Sequence, residues 1–163
     1  MSAIIIVMGV SGSGKTTLGQ AIAKKLDYNF LEGDEFHSKE NKLKMKKGTP
    51  LTDEDRIPWL KEINQVLHKK RGRKIVLACS ALKKNYRKLL QERFAPETIL
   101  WIYLSNEYSI LKARMENRNH FMPVTLLKSQ LEELEPPKKA LKMNSSLSIN
   151  KMINQLKLHL NEH

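Results

Sequence analysis

Gly9-Val10-Ser11-Gly12-Ser13-Gly14-Lys15-Thr16 stands between an apolar run, Ala3 to Met8, and a segment of helical periodicity, Thr17 to Leu26. Strand, glycine turn and helix in that order form the setting in which a phosphate-binding loop works. Glycines let the backbone curl until several N–H groups point at one anion. The helix N-terminus behind them adds roughly half a positive charge. Gly9, Ser11, Gly12, Ser13, Gly14, Lys15, Thr16 and Thr17 are therefore expected to cradle phosphates. Lys15 can reach a terminal phosphate, and the Thr16 hydroxyl can ligate Mg²⁺. A flexible glycine turn does not account for Lys-Thr at this offset after a buried strand. The loop predicts a nucleoside triphosphate and leaves the acceptor open.

The chain of 163 residues has the length of one domain with a sizeable core. No apolar run approaches the roughly 20 residues of a membrane span. The N-terminal run lacks a basic lead-in and ends in the glycine loop, so it reads as a strand and not as a signal peptide. Cys79 is the only cysteine. No intrachain disulfide is possible, which fits a reducing cytoplasm. Lys and Arg number 29 against 17 Asp and Glu, a net charge of +12. Such a balance allows a nucleic-acid partner. The cations are spread over many helices without interleaved aromatics, however, so no specific nucleic-acid partner is expected. A pocket for two anionic substrates and solvated lysine faces account for the excess.

Apolar spacing continues the strand–helix alternation. Tyr28 to Leu31 reads as a second strand, Lys74 to Cys79 as a third, Thr98 to Leu104 as a fourth and Ala140 to Asn144 as a fifth. Lys39 to Lys47 reads as a thin, partly exposed helix outside the core. Thr52-Asp53-Glu54-Asp55 resembles a capping box, while Pro58 places the start of the main helix at itself, as first helical residue. Further helices are expected around 82–90, 106–117, 126–134 and 149–160. The alternation predicts an α/β domain, a five-stranded parallel sheet with helices on both faces. Ligands of such sheets sit at the carboxyl ends of the strands, which directs attention to three loops.

After strand two comes Glu32-Gly33-Asp34. A carboxylate at Asp34 can accept the proton of an attacking hydroxyl or hold a Mg²⁺ water. His37 follows, able to bind an acceptor hydroxyl, and Arg56 suits an acceptor carboxylate because its fork bonds two oxygens. After strand three, Lys83 and Arg87 stand four apart, expected on one helix face where two cations grip one anionic group. Arg114, Arg118 and His120 flank a break at Asn119 to Pro123. A mobile arginine segment there can close over the transferring phosphoryl group. Arg114 and Arg118 are expected on the nucleotide and His120 near the acceptor, in a lid of about 114–137.

Glu32 to His37, Asn41, Lys44-Met45, Gly48 to Arg56, Pro58-Trp59-Leu60, Ala78 to Lys83, Tyr86-Arg87 and His120 to Pro137, joined to the glycine loop, resemble gluconokinase. The blocks Gly48 to Leu60 and Ala78 to Arg87 carry most of the likeness. The resemblance implies a P-loop kinase of the nucleoside-monophosphate-kinase-like group, with a closing lid. It implies ATP- and Mg²⁺-dependent phosphorylation of the 6-hydroxyl of D-gluconate, giving 6-phosphogluconate and ADP. By position, Asp34 resembles the base or orienter of that hydroxyl and, with Thr16, a metal contact. Lys15 resembles the phosphate contact and Arg118 the lid arginine. His37, Arg56, Lys83 and Arg87 resemble the sugar-acid pocket. Family members are often homodimers. Another small P-loop metabolite kinase, such as a shikimate kinase, is the alternative, and a nucleotide switch without a metabolite site is a third. The family usually carries Asp at the position of Glu32, so a Mg²⁺-water role there needs the longer arm. Ser38 stands where Pro is common, which predicts a looser loop.

Overall fold

A computed structural model of the chain describes residues 3–117 and 125–162. Its centre is β1 (Ile4–Met8), five residues buried without exception. β1 pairs in parallel with β3 (Ile75–Ala78) on one side and β4 (Ile99–Ser105) on the other. β2 (Asn29–Glu32) and β5 (Leu141–Asn144) form the edges, giving the order β2-β3-β1-β4-β5. A central parallel strand is covered on both faces, which is why β1 and β3 read as unbroken apolar runs.

On one face α3 (Asp53–Lys69) and α4 (Lys84–Gln91) cover the sheet, with Leu60, Ile63 and Leu67 packed on Ile4, Ile6 and Ile75. Each of these buried side chains contributes about 1.5–3 kcal/mol. On the other face lie α1 (Lys15–Leu26) and α7 (Ile149–Glu162), through Leu18, Ile22, Met152 and Leu156. A third cluster sits above the carboxyl edge. It joins Val10 of the glycine loop to Met45 of α2 (Lys39–Lys46), Leu111 and Met115 of α5 (Tyr108–Asn117), and Leu126 and Leu127 of α6 (Thr125–Glu133). Among the described residues no helix is long and apolar enough to cross a membrane.

Three local expectations change. α3 starts at Asp53, not at Pro58. The capping box decides it: Asp55 N–H donates to Thr52 Oγ1 at 3.1 Å and Thr52 N–H to Asp55 Oδ2 at 3.0 Å. Three acids in the first turn then complement the helix dipole. Pro58 lies inside, where it costs one backbone hydrogen bond. The early start puts Arg56 on helix, over the carboxyl edge. Ser38 does not loosen its loop either, for its Oγ caps α2 by accepting Asn41 N–H at 3.1 Å. Finally, α2 is not wholly outside the core, since Met45 is buried in the third cluster while Leu43 is exposed.

Candidate active site

The glycine loop enters α1 through Gly14, whose φ of +97° is a left-handed conformation that a side chain would strain. A Cβ there would meet nothing within 4 Å, so the loop encloses open space in front of the helix N-terminus. Such a cradle fits a phosphate group. Lys15 Nζ donates to the carbonyls of Gly9 at 3.0 Å and Val10 at 3.1 Å. Burial pulls its pKa down, and Asp34 leads the charges that pull it back up. Arg114 braces the loop from α5, donating to Gly12 O at 3.3 Å and to Ser145 Oγ at 3.0 Å.

After β2 the chain makes a single 3-10 turn, Gly33–Phe36. It lies against the end of β3, so close that Gly33 is the only residue type that fits: a Cβ would stand 2.5 Å from Ala78 O. Glu32 bridges the two phosphate-side elements, its Oε2 accepting from the Thr16 hydroxyl. The longer arm of Glu therefore reaches the helix that the glycine loop begins. Burial pushes its carboxyl pKa up. Thr16, Glu32 and Asp34 offer hydroxyl and carboxylate oxygens, the hard donors Mg²⁺ takes while keeping several waters.

His37 is buried and stacked on Trp59, ring centroids 3.9 Å apart. Trp59 is itself fixed by its Nε1–H, which donates to Gly33 O at 2.8 Å. Asn41 sets the tautomer. Its Nδ2 donates to Asp55 O at 2.9 Å, which identifies the nitrogen, and faces His37 Nδ1 at 3.2 Å. Nδ1 is thus the acceptor and Nε2 carries the proton. Burial, then the charges of Arg56 and Lys42, lower the His37 pKa to about 4. A neutral imidazole at pH 7 offers one N–H donor and no positive charge, which suits an acceptor hydroxyl. Because the folded pKa lies below the ordinary 6.5, protonation favours the unfolded chain. This stabilisation is present above pH 6.5 and is lost as the pH falls towards 4, by up to about 3 kcal/mol. Asp53 and Asp55, whose pKa values are held below 3.8, act beneath that window. Thermal midpoints between pH 7.5 and 4.5 should fall more steeply for the wild type than for His37→Gln; parallel curves would contradict the burial of a neutral His37.

Ser11, Lys15, Asp34, His37, Arg56, Trp59, Ser80, Ser129 and Gln130 are among the residues lining one cavity at the carboxyl edge. Arg56 is buried and donates from Nη1 to Tyr86 Oη at 2.9 Å and to Glu133 Oε2. Tyr86 in turn donates to Asp53, which also takes Lys83 Nζ at 2.9 Å.

Lys83 and Arg87 do not share a face. α4 begins at Lys84, and Lys83 is its extended N-cap, so the four-residue spacing does not align the two side chains. Lys83 turns to Asp53. Arg87 turns away from the cavity, donating to the carbonyls of Ala81 at 2.8 Å, Leu82 at 3.1 Å and Glu135 at 2.8 Å. It lines a separate groove with Trp101 and Lys138. Arg118 and His120 lie outside the described residues. The sequence reading gave no site role to Asn41, Trp59, Gln130 or Glu133. Burial pushes the thiol of Cys79 up to about 12, so it stays protonated beside the site.

Sheet order, glycine loop and acid after β2 define a P-loop kinase. The shikimate kinase family model matches residues 11–155. A probable gluconokinase of Xenopus tropicalis is 45% identical over 150 residues, covering 82% of this chain and 79% of that one. The thermosensitive gluconokinase of Escherichia coli (strain K12) is 46% identical over 135 residues, covering 81% and 71%. A crystal structure of a gluconokinase from Sinorhizobium meliloti 1021 superposes with a TM-score of 0.83 at 40% identity, covering 98% of this chain and 97% of that chain. The chain belongs to the gluconokinases, within the wider shikimate-kinase-like family of P-loop kinases.

Proposed function

We propose that the protein transfers the γ-phosphoryl group of ATP to the 6-hydroxyl of D-gluconate, giving 6-phospho-D-gluconate and ADP. One observation carries this reading. A single cavity is lined by the glycine loop (Ser11, Lys15), an acid (Asp34), a neutral histidine (His37) and a buried arginine (Arg56). Those are the complements of a phosphate donor, a nucleophilic hydroxyl, a polyol and a carboxylate.

In this reading the loop N–H groups and Lys15 hold the phosphates and meet the charge that develops on the transferring group. Asp34 orients the acceptor hydroxyl and takes its proton. His37 Nε2–H donates to an acceptor hydroxyl, and the Arg56 fork pairs the acceptor carboxylate. Arg114 keeps the loop in shape, and Arg118 supplies the lid cation. Thr16, Glu32 and Asp34 would hold Mg²⁺, which when bound neutralises phosphate charge. A coupled ADP-release assay across gluconate, shikimate, other sugar acids and nucleoside monophosphates tests the proposal. Turnover is expected with gluconate; none above the ATPase background would refute it.

A further inference from the structure

The cavity at the carboxyl edge measures about 30 Å³. That is room for roughly two waters, far less than a six-carbon sugar acid occupies. α6 is its roof, through Leu126, Ser129 and Gln130. Two polar side chains three apart, and so on one helix face, tie this roof down. Gln130 Oε1 accepts the N–H of Ser11 in the glycine loop at 2.8 Å. Glu133 pairs with Arg56. The side chains of Arg56 and Glu133 are only 9% and 20% exposed, so the pair is largely out of water. An ion pair in that setting is costly to break on one side alone.

Arg56 therefore already holds a carboxylate, and it comes from the roof. Its Nη1 serves both Tyr86 and Glu133. Among the described residues Tyr86 and Glu133 bond it, Asp53 bonds Tyr86 in turn, and the neutral ring of His37 shares its cavity. Lys83 leans on the same tyrosine ring and is itself paired with Asp53.

We propose that Glu133 is a positioning residue that stands in for the acceptor carboxylate: it occupies Arg56 and holds α6 over the site until a carboxylate acceptor exchanges with it. This rests on the assignment of Arg56 to the acceptor carboxylate. The exchange swaps one carboxylate for another on the same guanidinium, so Arg56 is never left buried and unpaired. It subtracts the Glu133 pair from the acceptor's net affinity. It also keeps α6 down when no acceptor is present, which limits the access of water to the phosphoryl group.

Glu133→Gln tests this, with nearly the same shape and no charge. Three readouts are expected to move together. The gluconate KM should fall about 3–10-fold while the ATP KM stays within twofold. ATP hydrolysis without acceptor should rise several-fold. Amide hydrogen exchange in residues 125–133 of the ligand-free protein should quicken at least threefold. Glu133→Ala, which also removes the reach, should act in the same direction. A purely structural Glu133 predicts the opposite kinetics, a raised gluconate KM from a misplaced Arg56. A raised or unchanged KM in a folded variant would overturn the proposal. Unchanged protection of α6 would overturn it whatever the acceptor proves to be. Wild-type turnover is measured first, so that failure with gluconate counts against the function and not against the latch.

Discussion

Asp34→Asn is expected to lower kcat with gluconate by on the order of 10²-fold or more, the usual scale of a positioned general base. The ATP KM should change little. Asn keeps the size and one acceptor oxygen of the side chain but cannot take a proton. Asp34 lines the cavity with Lys15 and His37, on the turn that Glu32 and Gly33 press against β3. In the proposed mechanism a carboxylate there acts on the hydroxyl, and it favours the buried ammonium of Lys15. A residue that only capped the turn would leave kcat intact, because the Asp34 N–H that bonds Glu32 Oε1 is backbone and survives the substitution. Steady-state kinetics at saturating ATP decide the matter, and a near-normal kcat would remove Asp34 from the chemistry.

The sequence made the donor half legible because its signals are local. An apolar run, glycines at fixed offsets and a helical stripe lie within Ile4–Leu26 and need no partner to be read. A rule of sheet architecture pointed to Asp34, and residue type pointed to His37 and Arg56; the three line one cavity, with Arg56 on α3. What escaped depends on how distant elements meet. Gln130 and Glu133 are polar positions between the leucines of an amphipathic helix, and periodicity assigns such positions to solvent. Only the packing of Leu126 and Leu127 against Val10 and Met45 turns that polar edge inward. Asn41 fixes the tautomer of His37 through a carbonyl on another helix, Asp55 O. Lys83 and Arg87 failed as a pair for a local reason. The spacing rule assumes that both residues are helical, and Ala81, at φ +45°, turns the chain so that the helix begins only at Lys84. Pro58 misplaced the start of α3 because a proline preference was set above a capping box, which satisfies two N–H groups at once.

Gly33→Ala should cost about 2–4 kcal/mol of stability and should impair catalysis with it. The added Cβ would stand 2.5 Å from Ala78 O, 3.2 Å from Cys79 Cβ and 3.3 Å from Cys79 Cα. None of these atoms can swing aside. Ala78 is the register partner of Glu32 in the β2–β3 ladder, and Cys79 N–H donates to Val7 O at 3.0 Å in the middle of the sheet. Overpacking against such atoms costs typically 1–3 kcal/mol. Displacing the turn also strains the bond from Trp59 Nε1 to Gly33 O, with a further loss of about 1 kcal/mol. For a chain of this size each kcal/mol lowers the midpoint by roughly 2–4 °C, so a fall of about 4–16 °C is expected. The backbone at Gly33 is not left-handed, so the penalty comes from contact and not from strain in φ. Moving the turn carries Asp34, and the ring of His37 stacked on Trp59, away from Lys15. At temperatures where the variant remains folded, kcat should therefore fall at least tenfold, since a misplacement of about 1 Å can cost 10²-fold. A stable Gly33→Ala enzyme with normal kcat would mean that the close approach of β2's turn to β3 does not set the position of the acid.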